Sequence, residues 1–257
     1  MALEDAGALA SLVETPATSD PAAVIRIAII RFPRISNFDD FAPLEREPGV
    51  VVQWIDSPEA ARDADLLVLP GTKATIADMA WMHEHGLAKV IVERAAAGAP
   101  VLGVCGGFQM LGRMIEDPYG VESAQARAVG LDLLPVRTIF AREKIVAQIS
   151  ARPGVPSFLT EGLPPDTPIL GYEIHMGIVS ANEDAPAFRV GERNKRTCDI
   201  ADGAVSAERP VVGTMIHGLF ANDGIRSSLL ASLRRRRGDP PGAPNPEPSR
   251  DSDYGRL

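Results

Sequence analysis

A cysteine enclosed by glycines, Cys105, constrains the fold of this chain more than any other feature. The apolar run 99–102 precedes it, and the segment 108–111, which has helical character, follows it. Strand, sharp turn and helix form a nucleophile elbow, in which the turn lifts one side chain above the sheet edge. Backbone N–H groups at a helix N-terminus favour a thiolate. The pattern therefore predicts a cysteine nucleophile rather than the small buried hydrophobe that a lone cysteine usually is.

The first half of the chain alternates between apolar strands and helices. Strands are predicted over 24–30, 50–55 and 65–70, and a helix over 76–97 leads to the strand before Cys105. Continuous apolar strands of this kind belong to a parallel sheet that is covered on both faces. We therefore predict an α/β fold with a parallel or mixed twisted sheet flanked by helices. Ligands bind such sheets beyond the carboxyl ends of the strands, where Gly71, Cys105 and the loop after Ile30 fall.

The second half is less regular. Strands are predicted over 131–136 and 145–149, in antiparallel arrangement, and over 210–216, and the last helix over 225–236. Residues 24–237 are predicted to form one domain. A linker at 1–23 and a disordered tail at 238–257, rich in Pro, Asp and Ser, are predicted to flank it.

Composition excludes several function classes. A net charge of -8 argues against nucleic-acid binding, which needs a basic surface. No apolar segment approaches the roughly 18 residues that span a bilayer, so no membrane association is expected. Residues 1–23 lack a secretory pattern, and two cysteines do not make a disulfide framework, so the predicted location is cytoplasmic. Cys198 has no glycine frame and is predicted to be structural.

A cysteine nucleophile needs a histidine to move protons and N–H donors to hold an oxyanion. His217 is the favoured base because it ends a strand at the edge where the elbow opens, and His175 is the competing candidate. His83 and His85 are two residues apart and do not share a helical face, so no metal site is predicted. The N–H groups of Gly106 and of the turn at Gly71 are the predicted oxyanion donors.

Several motifs in order make the pattern more specific than the elbow alone. They occupy 69–78, 103–112, 171–177 and 213–220. Together they resemble a class I (triad-type) glutamine amidotransferase domain of the CobB/CobQ subtype. The segment 33–41 narrows the resemblance to the branch that amidates corrinoids. The resemblance covers about 24–237 and implies a flavodoxin-like fold with some antiparallel strands in the second half.

The resemblance also implies roles for residues. Cys105 would attack the side-chain amide of glutamine and form a γ-glutamyl thioester, and His217 would move the protons. Gly71 and Gly106 would hold the oxyanion, and Gln109 resembles a glutamine-binding position. Lys144 is a candidate for the α-carboxylate of glutamine, and a solvated strand lysine is the alternative interpretation.

Two departures from the family pattern limit these expectations. Ordinary class I amidotransferases carry a glutamate two residues after the histidine, where this chain has Leu219. A Cys–His dyad is therefore expected, with Glu173 as a possible third member. The second departure is the missing phosphate loop, Gly-x-x-x-x-Gly-Lys-[Ser/Thr]. ATP and Mg²⁺ would belong to an absent synthetase half, and no cofactor or metal is expected in this chain.

The leading hypothesis is a glutaminase that supplies ammonia for ATP-dependent amidation of corrinoid carboxylates in cobalamin biosynthesis. Its expected partners are glutamine and an ATP-dependent synthetase domain or subunit. Two alternatives remain open at this point. One is a glutaminase subunit for a ligase that amidates lipid-linked muropeptide of the cell wall. The other is an inactive domain that serves binding or assembly.

Overall fold

The computed structural model describes residues 24–180 and 185–239. The predicted linker at 1–23 lies outside the described residues, as does the predicted tail beyond Asp239. The strands are β1 (Ile25–Ile30), β2 (Val50–Ile55), β3 (Leu66–Leu69), β4 (Val101–Val104), β5 (Met114–Glu116), β6 (Arg127–Val129), β7 (Arg137–Pro153), β8 (Ile169–Ser180), β9 (Phe188–Arg193), β10 (Arg196–Asp202), β11 (Ala204–Val205) and β12 (Val211–Thr214). The α-helices are α1 (Ala42–Glu45), α2 (Thr75–Glu84), α3 (Leu87–Ala96), α4 (Gly106–Leu111) and α5 (Asp223–Arg237), with 3-10 helices at Phe38–Phe41 and Leu219–Ala221.

The first sheet has the strand order β11-β12-β4-β3-β1-β2. All of its neighbours pair in parallel except β11, which is antiparallel to β12. The order β2-β1-β3-β4-β12 is that of the flavodoxin-like doubly wound fold. Strands β3, β4 and β12 are buried at every position, which is why their sequences are continuously apolar, up to Thr214 at the end of β12, rather than alternating. The predicted α/β class is confirmed.

Two predicted elements differ from the structure. The predicted helix over 76–97 is two helices, α2 and α3, because Gly86 adopts a left-handed conformation (φ 74°) between them. The predicted strand over 131–136 is wrong. The N–H groups of Leu131, Leu133 and Leu134 instead donate to the carbonyls of Met110 and Leu111. The segment therefore satisfies carbonyls at the end of α4 that a helix leaves without partners.

The second sheet contains β10, β9, β7, β5 and β6 in that order, with β8 paired to β7. Its pairs are antiparallel except β5 with β7, so the expectation of antiparallel strands in the second half is confirmed. The predicted strand 145–149 lies within the much longer β7. Strand β8 also forms an isolated antiparallel bridge, Tyr172 to His217, which joins this sheet to the end of β12.

No helix in the part of the chain that the structure describes is long and apolar enough to cross a bilayer.

Candidate active site

The elbow at Cys105 has a strained backbone. Cys105 lies between β4 and α4 with φ 51° and ψ -111°. Residues other than glycine rarely adopt a positive φ. The flanking glycines are required by close packing, because a Cβ on Gly107 would collide with the carbonyl of Leu69. A Cβ on Gly103 would lie 2.7 Å from the backbone nitrogen of Phe108. The glycine frame that marks the turn in the sequence thus lets α4 pack directly onto the sheet.

Four segments that follow parallel strands meet at this edge of the sheet. Asp40 lies on the 3-10 helix after β1, Gly71 follows β3, Cys105 follows β4 and His217 follows β12. Gly71 packs against the histidine, because a Cβ there would lie 3.1 Å from Cε1 of His217. Gly106 packs against the turn at Gly71 and Thr72, because a Cβ on Gly106 would lie 3.1 Å from the backbone nitrogen of Thr72. The predicted oxyanion segments are therefore adjacent to each other and to the imidazole.

His217 is buried and held at one ring nitrogen. Its Nδ1 lies 2.6 Å from Oδ2 of Asp40, which is itself almost fully buried. No hydrogen bond of ordinary geometry reaches Nε2 from the described residues, although the Cys105 side chain is close enough to act on the ring. Burial opposes protonation, but the Asp40 hydrogen bond and Cys105 outweigh it and raise the pKa of His217 to about 9. The imidazolium is therefore favoured at neutral pH.

The carboxylate of Asp40 is fixed by further donors. Its Oδ1 accepts from the Gly218 backbone N–H and from the Tyr172 hydroxyl, each at 3.1 Å. The amide of Asn37 donates to the same hydroxyl oxygen at 2.8 Å. The ring of Tyr172 stacks on the imidazole of His217, with centroids 5.1 Å apart and planes 15° apart. Both oxygens of Asp40 are thus occupied, and the imidazole has one preferred plane.

Glu173, the predicted third member, does not lie at His217. Side chains alternate along a strand, so Glu173 faces away from the side on which Tyr172 meets the histidine. Its carboxylate is buried and pairs with Arg193 at 2.7 Å. Asp40 is the carboxylate that occupies the position at Nδ1 instead. The sequence placed the loop after Ile30 at this edge, but nothing in it singled out Asp40.

His175 lines the cavity but is not the histidine next to the thiol. Its Nδ1 lies 3.2 Å from the carbonyl of Gly177, and burial lowers its pKa. The Cys105 thiol lies 3.9 Å from the carbonyl of Ile174, so strand β8 forms one wall beside the sulfur. Of the two histidines that the sequence left open, His217 is the one that the fold brings to Cys105.

A cavity of about 400 Å³ opens over Cys105. Gln109 lies in its wall and is buried; its Oε1 accepts from the Thr75 hydroxyl, and its Nε2 donates to the Met176 carbonyl, both at 3.3 Å. Lys144 lies at the cavity on β7 with its side chain exposed. The volume and the mixed lining suit a small polar molecule.

Two charged residues that the sequence analysis missed also line this cavity. Lys73 is exposed beside the turn at Gly71, and Glu122 lies on a loop that packs against the start of α2. Glu122 accepts from the backbone N–H groups of Thr75 and Ile76, at 2.6 and 3.3 Å, at the start of α2. Burial raises the pKa of Glu122. Cations and a carboxylate at one cavity are complementary to the carboxylate and ammonium of a free amino acid.

The histidine pair of α2 lies away from this cavity. His85 ends α2, with its ring stacked on Trp81 at 4.6 Å and its Nδ1 2.8 Å from the Trp81 carbonyl. Across residues 24–180 and 185–239, no three His, Cys, Asp or Glu side chains converge on a possible metal position.

Two solved structures share the fold of this chain. The structure of PurLQS from Thermotoga maritima aligns with a TM-score of 0.59 at 17% identity, over 83% of this chain and 99% of that chain. A putative GMP synthase protein from Thermoplasma acidophilum aligns with a TM-score of 0.55 at 16% identity, over 84% of this chain and 96% of that chain. At such identities the likeness establishes the fold alone.

Comparison with curated sequences is closer. Cobyric acid synthase of Sorangium cellulosum is 52% identical over an alignment of 243 positions, which covers 90% of this chain and 46% of that protein. Cobyric acid synthase of Moorella thermoacetica is 41% identical over 223 residues, 86% of this chain and 43% of that protein. The chain spans about half the length of the curated relatives it matches.

The family model described as a CobB/CobQ-like glutamine amidotransferase domain matches residues 26–225, from β1 to the start of α5. The match includes all four segments that meet at Cys105. With the strand order, the elbow and the curated relatives, this match assigns the chain to the CobB/CobQ-like glutamine amidotransferase family.

Proposed function

We propose that this chain hydrolyses the side-chain amide of glutamine at Cys105, as the glutaminase part of an enzyme that amidates corrinoid carboxylates. The observation that carries the proposal is Cys105 on a strained elbow with His217 beside it, held at Nδ1 by Asp40. Family membership supports glutamine as substrate, and relatives that carry the name cobyric acid synthase support the acceptor.

The reaction proceeds in two halves. The Cys105 thiolate, paired with the His217 imidazolium, adds to the amide carbon of glutamine and forms the S–C bond. Collapse of the tetrahedral intermediate breaks the C–N bond, and the proton from His217 leaves with ammonia. Water then adds to the γ-glutamyl thioester while His217 takes its proton. Breakage of the S–C bond releases glutamate and restores the thiolate–imidazolium pair.

The backbone at Gly106 and at the Gly71–Thr72 turn stabilises the negative oxygen of each intermediate. The N–H groups in the first turn of α4 have no helical partner, so they are available to an oxyanion next to Cys105. Asp40 keeps a proton on Nδ1 of His217, so Nε2 is the nitrogen that exchanges protons with the substrate. Asp40 is thus a positioning residue in the place that Glu173 was expected to take.

The cavity walls hold the amino-acid end of glutamine. Gln109, already fixed by Thr75 and Met176, contacts the substrate along its chain. Lys144 or Lys73 pairs with the α-carboxylate, and both lie at the cavity. These roles place the amide over Cys105 and leave the charged end toward the mouth.

The other half of the amidation belongs to a partner. The relatives are about twice as long as this chain, and the remainder would be an ATP-dependent synthetase, present as a further domain or as a separate protein. ATP and Mg²⁺ would act there, activating the carboxylate that receives ammonia. The identity with cobyric acid synthases favours a corrinoid acceptor over a cell-wall muropeptide.

The test is release of glutamate and ammonia by the purified chain, alone and with the part of the Sorangium cellulosum relative that this chain does not match. Cys105→Ser should abolish glutamine hydrolysis, whereas Cys198→Ser, at a half-buried cysteine on β10, should retain it. Hydrolysis that survives Cys105→Ser would overturn the proposal. With the partner half present, amidation of a muropeptide but not of a corrinoid would move the acceptor to the cell wall.

A further inference from the structure

We propose that Tyr172 is a positioning residue for His217: its ring holds the imidazole plane, and its hydroxyl limits how strongly Asp40 binds the imidazole proton. The inference deepens the proposed function and rests on it for its catalytic meaning. It starts from contacts of Tyr172 that Cys105 chemistry alone does not explain.

The ring of Tyr172 is tied to His217 through the backbone. The two residues exchange hydrogen bonds across an isolated bridge, with Tyr172 N–H to His217 carbonyl at 3.2 Å and the reverse at 2.8 Å. Gly171 permits this approach, because a Cβ there would press on the His217 carbonyl and the Ile216 side chain. Both rings therefore leave paired backbones on the same side and stack nearly parallel, 5.1 Å apart. The stack removes rotation of the imidazole out of its plane.

The hydroxyl of Tyr172 has a fixed direction. Asn37 donates to its oxygen at 2.8 Å, so the O–H is left to point at Oδ1 of Asp40, 3.1 Å away. Burial raises the pKa of Tyr172 to about 12, so the hydroxyl keeps its proton across the working range. Asn37 itself has a left-handed backbone (φ 55°), which Asn tolerates better than most residues. The hydrogen bonds are thus all donated toward the carboxylate, from Asn37 to Tyr172 and from Tyr172 to Asp40, which also binds His217.

This donor weakens the attraction between Asp40 and the imidazolium. A hydrogen bond to a carboxylate draws charge away from its oxygens and makes it less basic. His217 must give its proton to the leaving amine and recover it from water, so an Asp40 that bound the imidazolium too tightly would slow the first half-reaction. The hydroxyl of Tyr172 therefore reduces the amount by which Asp40 increases the proton affinity of His217.

Other charges around this pair are unchanged when the hydroxyl alone is removed. They come from the elbow, the first 3-10 helix, β8 and β9, namely Cys105, Asp39, Asp40, Glu173, His175 and Arg193. Tyr172→Phe keeps the ring and all of them. The change thus isolates the hydroxyl bond to Asp40.

The experiment is an NMR titration of the His217 imidazole in the resting chain without glutamine, assigned by loss of its signal in His217→Asn. Tyr172→Phe should move the midpoint to higher pH by roughly half a pH unit, less than a direct hydrogen bond to a charged group would give, because the hydroxyl acts on His217 only through Asp40. Tyr119→Phe is the matched control, since Tyr119 is exposed and keeps its ring over Arg142. It should leave the midpoint in place.

Asn37→Gly provides a second variant that keeps the left-handed backbone. Loss of the amide weakens the Tyr172 donor without removing it, so the midpoint should move in the same direction by less. A midpoint that stays fixed or falls in both variants would overturn the inference. If Tyr172→Phe does not fold, Asn37→Gly alone decides.

The catalytic part is measured separately. With glutamine, Tyr172→Phe should lower kcat more than it raises KM and shift the pH profile with the midpoint, and Tyr172→Leu should lose more because the stack is gone. A moved midpoint in a chain that never hydrolyses glutamine would support the positioning by Tyr172 and contradict the proposed function. An unchanged midpoint in a chain that does hydrolyse glutamine would support the proposed function and contradict the positioning by Tyr172.

Discussion

Replacement of Asp40 by Asn removes the strongest contact to the His217 ring while keeping the size of the side chain. The carboxylate lies 2.6 Å from Nδ1, and with Cys105 it raises the pKa of His217 to about 9 against the opposing effect of burial. In Asp40→Asn we expect this pKa to fall toward its ordinary value near 6.5 or below it. At about pH 8 the imidazolium population would then drop about 30-fold.

The loss in rate should exceed the loss in imidazolium. An amide at position 40 can donate to Nδ1 and so stabilise the wrong tautomer, which in triad hydrolases costs up to about 10⁴-fold. We therefore expect glutamine hydrolysis to fall between about 30-fold and 10⁴-fold. Asp39→Asn is the matched control, because Asp39 is an exposed neighbour on the same 3-10 helix and loses the same charge.

The assay pairs the rate with a measurement that needs no turnover. Alkylation of Cys105 by iodoacetamide, followed by peptide mass spectrometry with Cys198 as internal reference, reports the thiolate that the imidazolium stabilises. Asp40→Asn should slow alkylation of Cys105 at neutral pH, and Asp39→Asn should not. If both variants keep the wild-type hydrolysis and alkylation rates within about threefold, Asp40 does not position His217.

Three further predictions concern packing and pH. Gly71→Ala should lower glutamine hydrolysis about 10- to 100-fold with the fold retained, because the added Cβ would lie 3.1 Å from Cε1 of His217. Gly191→Ala should be neutral in the same assay, because its Cβ would lie 3.9 Å from the nearest atom. The raised pKa of His217 contributes stability that is fully present below about pH 6.5 and is lost as pH rises through about 9. Over this range the free energy of urea unfolding should fall by up to about 3 kcal/mol in wild type, and His217→Asn should lack this fall. Burial raises the pKa of Asp202 to about 7, so ionisation of this carboxyl destabilises the fold as pH rises from about 4 to 7. At about pH 8, Asp202→Asn should therefore unfold at a higher urea concentration than wild type, whereas at about pH 4 it should not. Equal urea midpoints of the two proteins at both pH values would refute this.

The sequence predicts the central sheet because each of its core strands carries a local signal. The buried strands β3 and β4, and β12 up to Thr214, are apolar runs, and the elbow glycines mark a turn at which a helix packs directly on the sheet. These signals lie within a few residues of the features they predict. The positions of Cys105 and His217 at the same sheet edge follow from that alone, because parallel strands end on the same side.

The partner of His217 could not be predicted in the same way. Asp40 lies 177 residues away along the chain, in a short 3-10 helix with no periodic pattern. Glu173 was the nearer candidate by motif, but its position on β8 turns it toward Arg193. One residue of register decides which side chain of that strand meets the histidine, and register depends on the bridge between Tyr172 and His217 rather than on local sequence.

The segment 131–136 shows the same limit. Its leucines have the composition of a strand, but their N–H groups bind the carbonyls that end α4. Which partner an apolar segment finds depends on what the rest of the chain leaves unsatisfied.

The most direct test of glutaminase chemistry at Cys105 is detection of the covalent intermediate. The chain, alone and with the part of a cobyric acid synthase relative that it does not match, is mixed with isotope-labelled glutamine, quenched in acid within the first turnover, and digested for mass spectrometry. The proposed function predicts a labelled γ-glutamyl thioester on the peptide that contains Cys105, absent in Cys105→Ser and unchanged in Cys198→Ser. Label on the Cys198 peptide instead, or hydrolysis of glutamine with no label on Cys105, would contradict it.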